Sequence, residues 1–167
     1  MSGVRYRRRG TAIVETDRGI LLTAGRHGKF ELPGGGAERG ESRFIAAFRE
    51  LTEETGLLPY AAEIIFRHRG EIRPTMSGRH EFQNHHTVCL VKASGTPRPN
   101  GKDVQRIAHY YPGCNVSIST ETKQIIERYY EWKKKRHGTN EFNILDEDDA
   151  DAQDVVEGGA GNDYENG

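Results

Sequence analysis

The sequence predicts an α/β domain with helices packed on a mixed β-sheet. Apolar, β-branched runs lie on both sides of residues 42–55. Residues 42–55 and 119–137 carry the spacing of amphipathic helices. The order strands, helix, strands, helix, with no internal repeat, sets helices against a sheet. At 167 residues the chain is long enough for one sizeable core and short for two.

Taken in order, "GTAIVET" from Gly10 and "GILLTA" from Gly19, divided by "DRG", read as a hairpin. "KFEL" is a short strand ending at Pro33, where a glycine loop begins. Ser42 to Thr55 fits a helix, closed by Gly56 in the C-cap position. "AEIIFRHRGEI" and "HHTVCLVKAS" read as strands, with "RPTMSGR" and "TPRPNGK" as turns. "DVQRIAHYY" is a further strand. "STETKQIIERYYEWKKKRH" is a second helix, its Ile125, Ile126, Tyr129 and Trp132 falling at i, i+1, i+4 and i+7. Its closing Lys133, Lys134, Lys135 and Arg136 complement the negative end of the helix dipole.

A hydrophobic fraction of 34% and a charged fraction of 29% describe a polar but foldable chain. No apolar run approaches the ~20 residues of a membrane span, and "MSGVRYRRRG" has no apolar segment behind its charges, so no secretory leader is expected. Cys89 and Cys114 show neither metal-type spacing nor a disulfide framework. They read as free thiols of a cytoplasmic protein, Cys89 buried in a strand. The net charge of −1 hides an asymmetry: residues 141–167 hold ten acids and no Lys or Arg, leaving 1–140 with a net +9. A basic body suits an anionic ligand. The acidic, Gly-rich tail has too few apolar residues to fold alone and is expected to be disordered.

The first helix places Glu50, Glu53 and Glu54 within one turn. At about 100° per residue, Phe44, Phe48, Leu51, Thr52 and Thr55 gather on one side and the three glutamates on the other. A solvated helix face would carry Glu–Lys pairs at i, i+4; here Glu50 and Glu54 form a like-charge pair, which costs about 0.2–0.5 kcal/mol. A divalent cation turns that repulsion into coordination, and hard oxygen donors select Mg²⁺ or Mn²⁺ over zinc. Upstream, Gly34, Gly35 and Gly36 permit close backbone approach. A loop of this kind entering a helix can offer N–H groups to a phosphate or a carbonyl to a metal.

Gly35, five residues, Glu41, seven residues, then Arg49-Glu50-Leu51-Thr52-Glu53-Glu54-Thr55-Gly56-Leu57 resembles the Nudix box, G-x5-E-x7-R-E-U-x-E-E-x-G-U with U apolar, at every specified position. The box covers residues 35–57, and the element order fits the family's fold over about residues 5–136. The resemblance implies an α/β/α sandwich around a mixed sheet in a hydrolase domain spanning 1–140. It implies Mg²⁺- or Mn²⁺-dependent hydrolysis of a diphosphate bond in a nucleotide or its conjugate, such as a (deoxy)nucleoside triphosphate or ADP-ribose. By position, Glu50, Glu53 and Glu54 stand as metal ligands, helped by a carbonyl at Gly34 or Gly35. Glu53 is assigned the proton-accepting role, and Arg49 the orienting of carboxylates with Glu41 as partner. Gly34, Gly35 and Gly36 are assigned to the substrate. A non-catalytic nucleotide-binding module and an RNA 5′-end pyrophosphohydrolase are the alternatives. The expected partner is a small nucleotide; a homodimer is compatible with the sequence, no membrane is expected, and nucleic acid is the weaker choice.

Outside the box, Pro74 reads as a turn proline. Phe66, Phe82 and Tyr111 are candidates to stack on a base, against core packing as the plainer explanation. His85 and His86 point to opposite faces of a strand and are expected at a strand edge. Asp103 or Glu81 is a candidate extra acid. "RYRRR" and "KKKRH" read as a strand edge and a helix end, without the interleaved aromatics that stack single strands. The tail is expected to compete with anionic substrates for the basic body.

Overall fold

The computed structural model describes residues 3–138; the tail 141–167 lies outside the described residues. The described chain forms β1 (Val4–Ile13), β2 (Glu15–Thr16), β3 (Gly19–Ala24), β4 (Gly34–Gly36), α1 (Arg43–Thr55), β5 (Leu58–Arg69), β6 (Arg73–Pro74), β7 (Glu81–Ser94), β8 (Arg106–Tyr110) and α2 (Thr120–Gly138). The larger sheet runs β4-β1-β7-β5, with β6 added to β7. Its central pair, β1 and β7, is parallel and its other pairs are antiparallel, so the sheet is mixed. A smaller sheet runs β2-β3-β8.

The two faces of the larger sheet bury separate cores, because successive strand side chains alternate. Ala12 of β1, Val14 just beyond it, and Cys89 and Val91 of β7 face α1, packing with Ala47 and Leu51. Ile13 and Val88 face the other way, against Ile125, Ile126 and Tyr129 of α2. Helix, sheet and helix thus form the expected α/β/α layers. Cys89 is fully buried and Cys114 partly exposed, and the two form no disulfide. Among the described residues no helix is long and apolar enough to cross a membrane.

Three expectations change. The first hairpin is β2–β3, around Asp17 and Arg18, while β1 leaves for the larger sheet and extends back to Val4, taking the arginine run with it. "KFEL" contributes only isolated bridges, Thr23 to Glu31 and Phe30 to Ile118. The strand is instead the glycine run itself: β4 pairs with Arg9, Gly10 and Thr11 of β1, so the glycines are a sheet edge and not a loop.

The third change concerns α1. Its ends match the sequence, with Ser42 Oγ accepting from Ile45 N and Gly56 at φ 75° closing it. Its packed face is shifted from the expected one. Arg43, Ala46, Ala47, Leu51, Glu54 and Thr55 are buried, whereas Phe44 and Phe48, ring centroids 4.8 Å apart, pack against the rim of that core and are only partly covered. The cause is Gly10, where a Cβ would stand 2.1 Å from the Arg43 carbonyl oxygen and 2.3 Å from Ala47 N. The helix backbone lies directly on that glycine. Its small-residue face therefore meets the sheet and carries Glu50 and Glu54 inward to β4.

Candidate active site

Two glycines of β4 receive the acids of α1. Gly34 has φ 151°, and its N–H donates to Glu54 Oε2 at 3.3 Å. A Cβ on Gly35 would lie 2.4 Å from the Glu50 carboxyl carbon, so only glycine leaves room for that side chain. Glu54 is buried, and Glu53 is exposed beside the loop that follows β7, where Asn100 Nδ2 donates to the Glu53 carbonyl at 3.1 Å.

Arg49 ties the acids together. Its Nε and Nη2 donate to both oxygens of Glu41, at 2.8 and 3.0 Å, a bidentate pair. Nη1 donates to Glu50 Oε1 at 3.0 Å and to Glu53 Oε2 at 3.1 Å, and Nη2 reaches the Gly36 carbonyl at 3.1 Å. The hydrogen bonds from Arg49 bring the Glu41 carboxyl below its usual range, and those same carboxylates raise the Arg49 guanidinium. Glu54 goes the other way. Burial pushes its carboxyl up, the Gly34 N–H opposes this, and the nearby Glu50 charge adds to the rise, which reaches about 8. Arg9 lowers it and Asp103 raises it, so both stand within electrostatic reach.

The three glutamates do not present one joint face. Arg49 draws Glu50 and Glu53 to its own nitrogen, while Glu54 turns under Gly34. Among the described residues no three His, Cys, Asp or Glu side chains converge as a ready-made cation cage.

The other candidates separate cleanly. Asp103 is near the site, whereas Glu81 opens β7 opposite Val4 and Pro74, at the far end of the strand pairing. Pro74 lies there with it. Phe66 is core, under the Arg128 guanidinium at 4.3 Å. Tyr111 is 54% exposed, and Phe82 lies under Arg7. His85 and His86 do take opposite faces, but β7 is an interior strand, so neither sits at an edge. The His85 ring packs against Tyr6 in a tilted arrangement, centroids 4.5 Å apart. His86 Nδ1 meets Thr11 Oγ1 at 2.7 Å and its Nε2 meets Glu121 Oε2 at 3.0 Å, an acid supplied by α2 and invisible to local sequence. Arg9 and Asn100 were not singled out. Arg9 could have been, since strand alternation through "RRRG" separates it from Arg8.

A family model described as the NUDIX domain matches residues 5–132. The chain belongs to the NUDIX domain family. It is 31% identical over 126 residues to the RNA pyrophosphohydrolase of Marinomonas sp. (strain MWYL1), covering 64% of this chain and 78% of that one. It is 28% identical over 125 residues to the ADP-ribose pyrophosphatase of Methanocaldococcus jannaschii, covering 72% of this chain and 71% of that one. Among solved structures, a Nudix hydrolase family member from Chromobacterium violaceum superposes with TM-score 0.63 at 37% identity, over 78% of this chain and 79% of that one. As a Nudix hydrolase the chain is an enzyme that cleaves diphosphate bonds. Hydrolases of this family generally use divalent metals.

Proposed function

We propose that the enzyme is a divalent-metal-dependent pyrophosphohydrolase of nucleotides and nucleotide conjugates, working at the seam between α1 and β4. The observation that carries this reading is Glu54, a buried carboxyl set beside Glu50 and against side-chain-free backbone. A hard cation fits that arrangement: the donors are all oxygen, and Gly35 puts no side chain against the Glu50 carboxylate. Glu50, Glu53, Glu54 and the Gly35 carbonyl would hold Mg²⁺ or Mn²⁺. Bound there, the ion would neutralise diphosphate oxygens and acidify a water.

The chain's own residues supply the rest. Glu53, exposed at the mouth, accepts the proton of the attacking water at its carboxylate. Arg49, anchored by Glu41, orients Glu50 and Glu53. Gly34, Gly35 and Gly36 let the substrate's phosphates approach main chain, and Arg9, opposite Gly36, supplies positive charge nearby. The hydrolase domain is assigned to 1–140. A second substrate reading, the 5′ end of RNA, is supported by the Marinomonas relative's name and by that of a further relative, 36% identical over 119 residues, from Acinetobacter baylyi.

The test is a panel of nucleoside triphosphates, nucleotide sugars and 5′-phosphorylated RNA incubated with Mg²⁺, with products identified. Release of a nucleoside monophosphate or of pyrophosphate is expected, and Glu53→Gln is expected to lower turnover about 10²–10³-fold. Turnover unchanged in a folded Glu53→Gln protein would remove that residue from the mechanism.

A further inference from the structure

The sequence places Tyr6 between Arg5 and Arg7, but strand alternation turns it to the opposite face, beside His85, and the fold supplies another aromatic on the arginines' own face. Parallel pairing sets Arg5 opposite Phe82, Arg7 opposite Asn84 and Arg9 opposite His86. Alternation puts Arg5, Arg7 and Arg9 on the α2 side of the sheet, in line with Ile13. The Arg7 guanidinium lies over the Phe82 ring, 3.6 Å from its centroid. Arg73 of β6 pairs with Phe82 from the other side.

This row has a direction. Arg9 stands opposite Gly36, at the diphosphate site, and the row runs outward to the exposed Arg5. Alternate side chains on a strand repeat every ~6.8 Å, comparable to consecutive phosphates of an extended single-stranded nucleic acid. β1 contains no acid, and Glu81, the acid of β7, alternates to the opposite face. Glu121, the acid that α2 brings here, is engaged by His86 and Asn84.

We propose that Arg9, Arg7 and Arg5, with Phe82, form a track for single-stranded RNA whose 5′ diphosphate lies at the α1–β4 seam. Guanidinium groups take successive phosphates by charge-assisted hydrogen bonds, and the Arg7–Phe82 pair offers a stacking surface to a base. A mononucleotide reaches Arg9 alone. The proposal rests on the pyrophosphohydrolase reading of the seam and adds the substrate class that reading leaves open.

The experiment uses the full-length protein with Mg²⁺ and two substrates sharing one 5′ end: ATP, and a short single-stranded oligoribonucleotide beginning with 5′-triphosphorylated adenosine. The oligonucleotide KM is expected to lie below that of ATP and to climb more steeply with salt, the log–log slope gaining about 0.7 for each extra phosphate held. In Arg5→Gln/Arg7→Gln, the ratio of oligonucleotide KM to ATP KM is expected to rise roughly tenfold, and the extra salt slope to vanish. Thermal melting checks that the variant is folded. An unchanged ratio overturns the track; if the variant does not fold, equal salt slopes for the two substrates in the natural protein overturn it instead. Hydrolysis of ATP without hydrolysis of the oligonucleotide refutes the track and leaves the seam reading intact. Salt-sensitive oligonucleotide binding with hydrolysis of neither substrate does the reverse.

Discussion

Two glutamates, Glu54 on α1 and Glu121 on α2, are set against glycines on opposite faces of one sheet, and their surroundings drive them apart. At Glu121, burial alone would raise the carboxyl, but hydrogen bonds from His86 and Asn84 outweigh it and hold the group at about 2. At Glu54, burial and the Glu50 charge prevail over one backbone N–H and lift the group to about 8. A missing side chain serves each face: a Cβ on Gly70 would stand 1.5 Å from Glu121 Oε1, and one on Gly35 would invade Glu50, the neighbour of Glu54. The difference teaches that burial alone does not mark function. Glu121 has its partners within the protein and ties α2 to the sheet. Glu54 lacks comparable compensation, which makes it the stronger candidate for a functional carboxyl.

The largest effect that could break this contrast comes from removing each acid. Glu54→Gln is expected to lower diphosphate hydrolysis about 10²–10³-fold with little change in melting temperature. Glu121→Ala strands two donors and is expected to cost about 1–3 kcal/mol of stability, with hydrolysis of ATP changing only a few-fold. Urea unfolding and steady-state kinetics on both variants decide it; a stability loss at Glu54 matching that at Glu121 would erase the distinction.

Glycine replacements sharpen it further. At Gly10 the obstacle is helix backbone, which cannot swing away, so Gly10→Ala is expected to destabilise by about 3 kcal/mol. At Gly35 the obstacle is the end of the Glu50 side chain. Gly35→Ala is therefore expected to keep most stability and lose activity, because Glu50 must move. Calorimetry beside an activity assay separates the two.

Much of this was legible in the sequence, and the losses have physical causes. Ser42 and Gly56 marked the ends of α1 correctly because caps are local. The face of α1 was legible but off-centre, because Phe44 and Phe48 dominate a hydrophobic count, while the point of closest packing is set by Gly10, thirty-odd residues earlier in the chain, through close backbone approach. The glycine run looked like a loop because strand propensity disfavours glycine, yet pairing with β1 overrides it. Glu121 and His86 are joined only by the tertiary fold, as are Arg7 and Phe82, so no local pattern announces either pair.

Smaller effects test the supports on each side. Arg49→Lys keeps the charge but loses the fork that grips Glu41 and reaches Glu50 and Glu53, and kcat is expected to fall about 10–100-fold. On the α2 side, the Glu121 carboxyl is lower in the folded protein than in the unfolded chain. Its contribution is therefore complete above about pH 4.5 and is lost as pH falls toward 2. After discounting for solvent, that loss is about 1–2 kcal/mol, and it should be absent from the pH–stability curve of Glu121→Ala.

A cation joining Glu50 and Glu54 beside the β4 glycines is the centre of the proposed chemistry. Calorimetric titration of the folded protein with Mn²⁺, repeated on Glu54→Gln, examines this without recourse to turnover. Saturable uptake by the natural protein, weakened at least tenfold in the variant, is the expected result. No uptake, or equal uptake by both proteins, would contradict it.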